Sequence, residues 1–386
     1  MNAITLDWLH IIALLGAVQG LILTGVLTVQ RRNRTANRVL AAAMLAFTIY
    51  LATAVYHAAG LVEVLPHFFG AAYPMPLLYG PLIYLYAVTA SNRSRRLTRW
   101  DALHFAPFVL TIVLGLSIYL MSGPDKIALY HALQRGEAPL LIRVVDPLKL
   151  LSGVTYAVIT LRFLQRHRAI VKDNYSSLER VNLQWLVRLA GAGAAIWVLA
   201  VAFEVTQFVP FQRGDDVITL AVALLVYDIG YMALRQPEIF RFDTGDPPPA
   251  QPPLPPSEPV ESRYERSGLS DWEAAALKKA LLAAMDGDRP WQDSDLTLAD
   301  LARRLSTTPH KLSELLNSQL EQTFYDFVNG YRVRYVQRRI ESGDARSLTI
   351  LSLALDAGFA SKSTFNEVFK KHTGKTPSDY RRSVAA

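Results

Sequence analysis

The sequence predicts an all-α protein: a seven-transmembrane-helix bundle, a proline-rich linker, then a helical domain with two helix-turn-helix units joined by a linker helix. Three observations predict it. Long apolar runs fill the chain before about residue 235, with arginine-rich and arginine-poor loops alternating between them. A proline run interrupts the chain near residue 250. After residue 270 the apolar positions become short and periodic, and one pattern occurs twice. The expected domains are 1–243, 244–270 and 271–386.

Composition narrows the chemistry. The 386 residues are 51% hydrophobic, and no cysteine occurs, which excludes disulfides, thiol catalysis and thiolate metal sites. Net charge is +7, unevenly spread. Residues 1–246 carry 21 Lys/Arg against 15 Asp/Glu; residues 271–327 carry 6 against 10; residues 328–386 carry 11 against 5.

A bilayer core of about 30 Å needs roughly 20 mostly apolar residues per helix. Seven stretches fit: 8–30, 39–62, 68–90, 104–122, 140–164, 183–209 and 217–236. The first lacks a basic leader and a small-residue cleavage site, so it reads as a retained helix. The first loop holds Arg31, Arg32, Arg34 and Arg38; the third Arg93, Arg95, Arg96 and Arg99; the fifth Arg162, Arg166, Arg168, Lys172 and Arg180. The loops between are poor in both residues. Lys and Arg mark the cytoplasmic side, so the N-terminus is expected outside and the C-terminus in the cytoplasm of a bacterial cell. The competing reading, buried helices of a large soluble protein, leaves that alternation a coincidence.

Ionisable groups inside the spans are costly in lipid and face an interior or a wet cavity. They are His57, Asp146, Lys149, Glu204 and Asp228. The first four fall toward the outer side and form a candidate ligand pocket; interhelical polar contacts or snorkelling are the alternative. Asp146 and Lys149, three apart, can pair on one helix face. Pro74, Pro76 and Gly80-Pro81 are expected to bend or end the third span. No His/Glu constellation in the spans has metal-ligand or protease spacing, no cofactor motif occurs, and no residues support an enzymatic activity.

Between Asp246 and Pro259 the prolines exclude a helix or central strand, and a polyproline II spacer follows, some 40 Å long at about 3.1 Å per residue. A ligand for SH3-like domains is the other use of such a run.

Ser270 through Glu273 form a capping box that opens a helix to about Met285. Two similar units follow, at about 297–317 and 349–372. Thr297 caps a helix with Leu298, Leu301, Ala302 and Leu305 inward; Thr349 caps one with Ile350, Leu353, Ala354 and Ala357 inward. Gly358 suits the left-handed conformation at a helix end. In the second helices Leu312, Leu315 and Leu316 correspond to Phe365, Val368 and Phe369. The outward faces give the candidate base contacts His310, Ser313, Glu314, Lys362, Ser363, Asn366 and Glu367. Lys311, Lys370, Lys371, Arg381 and Arg382 are the candidate phosphate contacts. A connecting helix of about 20 residues spans about 30 Å, close to the 34 Å that separates successive major grooves on one face of double-stranded DNA.

Residues 290–383 resemble the AraC-type DNA-binding domain, most clearly in Leu353-Ala354 and from Gly358 to Arg381, including Gly374 and Pro377 through Arg381. The combination with seven spans resembles that family's membrane-embedded subgroup. The resemblance implies a sequence-specific transcription regulator reading two adjacent grooves. Glu314 and Glu367 stand where many members carry arginine; a glutamate accepts from cytosine N4 or repels phosphate. Partners on this reading are double-stranded DNA, the lipid bilayer, a small-molecule signal and a second copy in a homodimer. The rivals are a passive anchor or dimeriser regulated by proteolytic release, and a transporter with a regulatory tail.

Overall fold

The computed structural model describes residues 6–30, 33–92, 95–177, 184–206, 214–235, 269–342 and 348–385. Arg31, Arg32, Arg93, Arg180 and the proline run lie outside the described residues. The described residues are helical, with no strand among them. They fall into two compact units: 1–164 with 184–254, and 165–183 with 255–386.

The first unit contains α1 (Trp8–Val29), α2 (Arg34–Ala58), α3 (Pro76–Ser91), α4 (Ala106–Leu114), α5 (Leu116–Tyr119), α6 (Gly123–Gln134), most of α7 (Leu140–Asn174), α8 (Gln184–Thr206) and α9 (Gly214–Arg235). Asp7 caps α1 by accepting the His10 N–H at 3.0 Å. The buried stripe of α1 is Ala13, Gly16, Ala17, Gly20, Leu23 and Leu27. Its small residues let neighbouring backbones approach closely. The opposite face stays apolar and open: Leu21 is 59% and Ile22 60% exposed. A surface helix in water shows the reverse arrangement. The α9 backbone and side chains tie in: Tyr227 donates to the Ile12 carbonyl at 3.0 Å and Gln19 to the Val226 carbonyl at 3.4 Å.

Four helices among the described residues are long and apolar enough to cross a membrane: Trp8–Val29, Arg34–Ala58, Leu140–Asn174 and Trp185–Thr206. They correspond to four of the seven expected runs, 8–30, 39–62, 140–164 and 183–209, and α9 carries most of the run 217–236 as one helix of 22 residues. The apolar run 104–122 is not one helix. A 3₁₀ segment, Arg99–Phe105, precedes α4, and the chain breaks at Gly115 before α5. The nine residues of α4 rise only about 13 Å. In the run 68–90 the chain forms turns before Pro76, which takes the first helical position of α3 and leaves 16 helical residues, about 24 Å. Hydropathy counts apolar residues and is blind to these interruptions.

In the second unit lie α10 (Asp271–Gly287), a 3₁₀ turn (Pro290–Gln292), α11 (Leu298–Arg304), α12 (Pro309–Glu314) extended by a π turn to Gln319, α13 (Phe324–Glu341), α14 (Ile350–Asp356), α15 (Lys362–Thr373) and α16 (Pro377–Ala385). Each starts where local chemistry says it should. Ser270 and Thr297 complete capping boxes with Glu273 and Asp300. Thr308, Thr323, Thr349 and Ser361 each accept a backbone N–H three residues on.

Two cores result, and α13 feeds both. Phe324, Phe327, Val328 and Tyr331 join Leu301, Leu312, Leu315 and Leu316 in the first. Tyr325, Val333, Val336 and Ile340 join Leu353, Phe359, Phe365 and Phe369 in the second.

Candidate nucleic-acid interface and bundle cavity

The two helix-turn-helix units have matching turns. Thr307 donates to the Ala302 carbonyl at 2.9 Å, and Phe359 donates to the Ala354 carbonyl at 3.0 Å, both 52 residues apart in sequence. Ser306 and Gly358 occupy the same place and both have left-handed backbones, φ 53° and 84°. Serine survives there in the first unit. In the second, a Cβ on residue 358 would lie 2.6 Å from the carbonyl oxygens of both Trp291 and Gln292. Gly358 is therefore fixed by conformation and by close approach.

Burial of Phe365, Val368 and Phe369 turns the other side of α15 outward. Lys362, Ser363, Asn366 and Glu367 are all exposed on it. On α12, burial of Leu312 leaves His310 exposed and Ser313 and Glu314 half-buried. Asn317 donates to the Ser313 hydroxyl at 3.3 Å. The structure thus places the expected base-contact residues on two outer helix faces, the second more open than the first.

The phosphate candidates differ in their surroundings. Lys311 pairs with Glu273 at 3.4 Å, Lys371 with Asp326 at 2.7 Å, and Arg382 with Asp379. Lys370 and Arg381 are exposed and have no ion pair among the described residues. Lys370 and Lys371 occupy the last turn of α15, where cations suit the helix dipole. The Ser270 backbone N–H, then its hydroxyl and Lys311, hold the Glu273 carboxyl below its ordinary range. Burial works to raise Asp326, but the Lys371 ammonium and Thr323 hydroxyl outweigh it and the carboxyl stays low.

One residue at this interface's foundation escaped the sequence reading. Arg332 on α13 is 1% exposed. All five of its N–H groups find acceptors: Nε to Trp291 O at 2.7 Å, Nη1 to Ser176 O and Asn329 Oδ1 at 3.1 Å each, and Nη2 to Ser176 Oγ at 3.2 Å and Asp293 O at 2.8 Å. Burial lowers its pKa to about 10, so it remains charged at neutral pH. A signal existed: Tyr325, Val328, Arg332 and Val336 follow helical spacing, which puts an arginine on a buried stripe.

In the first unit, His57, Asp146, Lys149 and Glu204 line one cavity of about 700 Å³, together with His10, Tyr79, Trp197 and Asp216. A neighbouring cavity of about 550 Å³ shares His57, Asp146 and Lys149. Lys149 donates to Asp146 Oδ1 at 2.8 Å, as the spacing predicts, and its ammonium lies 3.1 Å from the Tyr73 ring centroid. Tyr73 also donates to Asp146, at 3.1 Å. The Tyr79 hydroxyl is buried with no hydrogen-bond partner among the described residues. Asp228 does not line either cavity. Among the described residues no group of three or more His, Asp or Glu is placed to hold a metal.

Residues 301–383 match the family described as a helix-turn-helix domain. The chain is 28% identical over 90 residues to the melibiose operon regulatory protein of Escherichia coli K12, covering 23% of this chain and 29% of that protein. It is 26% identical over 92 residues to the regulatory protein SoxS of the same organism, 24% of this chain and 83% of SoxS. A putative AraC-like transcription regulator of Streptomyces lividans is 26% identical over 119 residues, 30% of this chain and 36% of that one. The chain thus spans less than a third of the length of the melibiose regulator. No solved structure matches it. The family match lies in the second unit, and those relatives carry the names of regulators.

Proposed function

We propose that the chain is a membrane-held transcription regulator of the AraC type that binds double-stranded DNA with α12 and α15 in adjacent major grooves. The observation that carries this is the pair of matching turns, each followed by a capped helix with a polar outer face, mounted on the single helix α13. The 18 residues of α13 rise about 27 Å. That length is of the same order as the 34 Å groove repeat. The similarity to named regulators supports the same reading.

Full-length protein in detergent micelles, incubated with a random duplex pool, is expected to enrich a bipartite motif with half-sites about 10 base pairs apart. Enrichment of no motif overturns the DNA-reading role. Substituting Asn366→Ala and Glu367→Ala should relax the half-site read by α15 and leave the other intact.

For the first unit, the open apolar faces and the long apolar helices support insertion in a bacterial inner membrane, with the second unit in the cytoplasm. The convergence of His57, Asp146, Lys149 and Glu204 on one cavity supports sensing of a small molecule there. A reporter driven by the enriched motif tests it. Signal-dependent expression that survives His57→Gln, Asp146→Asn, Lys149→Met and Glu204→Gln together sinks the sensing role. It leaves the bundle as an anchor.

A further inference from the structure

The second unit contains a piece of chain from far upstream, Gln165–Leu183. Its last described residues make specific contacts. Tyr175 forms an antiparallel bridge with Thr297, the cap of α11. Ser176 donates to the Leu296 carbonyl through its N–H at 3.3 Å and its hydroxyl at 2.7 Å. The Ser176 carbonyl accepts from Asn329 Nδ2 and from Arg332 Nη1, both at 3.1 Å. Val171 and Ser176 are each 1% exposed. The Lys172 ammonium lies 5.9 Å from the Tyr325 ring centroid.

These contacts share a logic. A guanidinium taken out of water needs an acceptor for every N–H. Two of the five N–H groups of Arg332 have theirs on Ser176. Remove the segment and a buried cation keeps only three acceptors, while Asn329 loses one of its two. The socket between the Pro290–Leu296 loop and α13 is built around an occupant, and residues 171–176 are that occupant.

The occupant is the end of α7. That helix is continuous over 35 residues, about 52 Å, which exceeds the roughly 30 Å of a bilayer core. Near its start it carries Asp146 and Lys149, which line the bundle cavity. Two residues past its end is Ser176.

We infer that residues 171–176 are an intramolecular docking peptide that completes the second unit, and that input from the first unit reaches it along α7. The inference rests on the proposed DNA-binding role for its regulatory half only; the docking itself stands on geometry. Rotation or displacement of α7 moves Ser176 against Arg332 and so alters the seat of α11 and α13.

The cysteine-free chain makes this directly testable in native membranes. Residues paired across an antiparallel bridge have Cα atoms about 4.5–5.5 Å apart, inside the range a disulfide spans. The full-length double variant Tyr175→Cys, Thr297→Cys, with a protease site inserted in the proline run, is oxidised mildly and then cut. Fragments that stay joined until reductant is added support docking; the control pair Tyr175→Cys, Ser378→Cys should separate at once. Separation in both overturns the docking. For the regulatory half, one residue inserted after Arg166 turns everything below it by about 100°. That insertion should change reporter output by roughly tenfold, the scale of one lost charge-assisted contact, and the same insertion in the proline run should leave it unchanged. The opposite pattern overturns the α7 route. Loss of motif binding by the unaltered protein, with cross-linking intact, instead faults the DNA-binding role.

Discussion

Replacing Arg332 by leucine isolates the energetic centre of the second unit. Of its five acceptors, two keep another donor: the Asp293 carbonyl accepts from Leu296 N–H at 3.3 Å, and the Ser176 carbonyl from Asn329. Ser176 Oγ retains its own donation to Leu296. Trp291 O and Asn329 Oδ1 are left with no donor among the described residues. Each stranded buried acceptor costs about 1–3 kcal/mol. Leucine fills part of the space and removes a desolvated charge, which offsets some of that. A net loss of about 2–4 kcal/mol follows, a large fraction of the 5–15 kcal/mol typical of a domain. Pulse proteolysis of full-length protein in urea, reading a C-terminal tag, measures it. Arg338→Leu, at an exposed position of the same helix, is the control, expected to move stability by less than about 0.5 kcal/mol. An Arg332→Leu midpoint equal to the control's refutes the reasoning.

Gly358→Ala should destabilise the second unit by at least the roughly 1–2 kcal/mol cost of a left-handed non-glycine residue, because the Cβ also meets two carbonyl oxygens; Ser306→Ala at the corresponding turn should not. Lys370→Ala is expected to reduce the slope of log K against log salt for DNA binding by about 0.9 with stability unchanged. Lys371→Ala should also lower stability, by about 0.2–1 kcal/mol, through the exposed pair with Asp326. Asp300 is held low first by the Thr297 hydroxyl, against burial. A carboxyl depressed in the fold contributes stability that is present above its unfolded pKa, about 4, and lost as pH falls through the folded value. Proteolytic resistance of the second unit should therefore decline below about pH 4, and Asp300→Asn should flatten that decline.

What the sequence made legible was local. Capping boxes at Ser270, Thr297 and their relatives act over three residues, so the helix starts of the second unit could be placed from sequence alone. The Asp146–Lys149 pair is local in the same sense. The convergence of His57 and Glu204 on that pair was expected only from a shared depth in the bilayer, and the structure puts all four on one cavity. The interruption of the run 104–122 was not legible, since it keeps its hydropathy across the break at Gly115. Nor was the role of Ser176: it lies 156 residues from Arg332, in a loop read only for its positive charge.

On the proposed function, the architecture of α13 limits how the chain can be controlled. Its residues are shared between two cores, and Tyr335 packs against both. The Arg332 guanidinium holds the Trp291 and Asp293 carbonyls while lying 5.7 Å from the Phe359 ring of the second core. Gly358 presses the second turn against residues 291 and 292. Changing the angle between α12 and α15 would break all of these contacts together. A signal of a few kcal/mol cannot do that without unfolding the unit. On the proposed function, control therefore acts on the unit as a whole: on its order, its position or its availability to DNA. The Arg332 socket is where such an input has leverage, because the same side chain joins the first core, the second core and the end of α7.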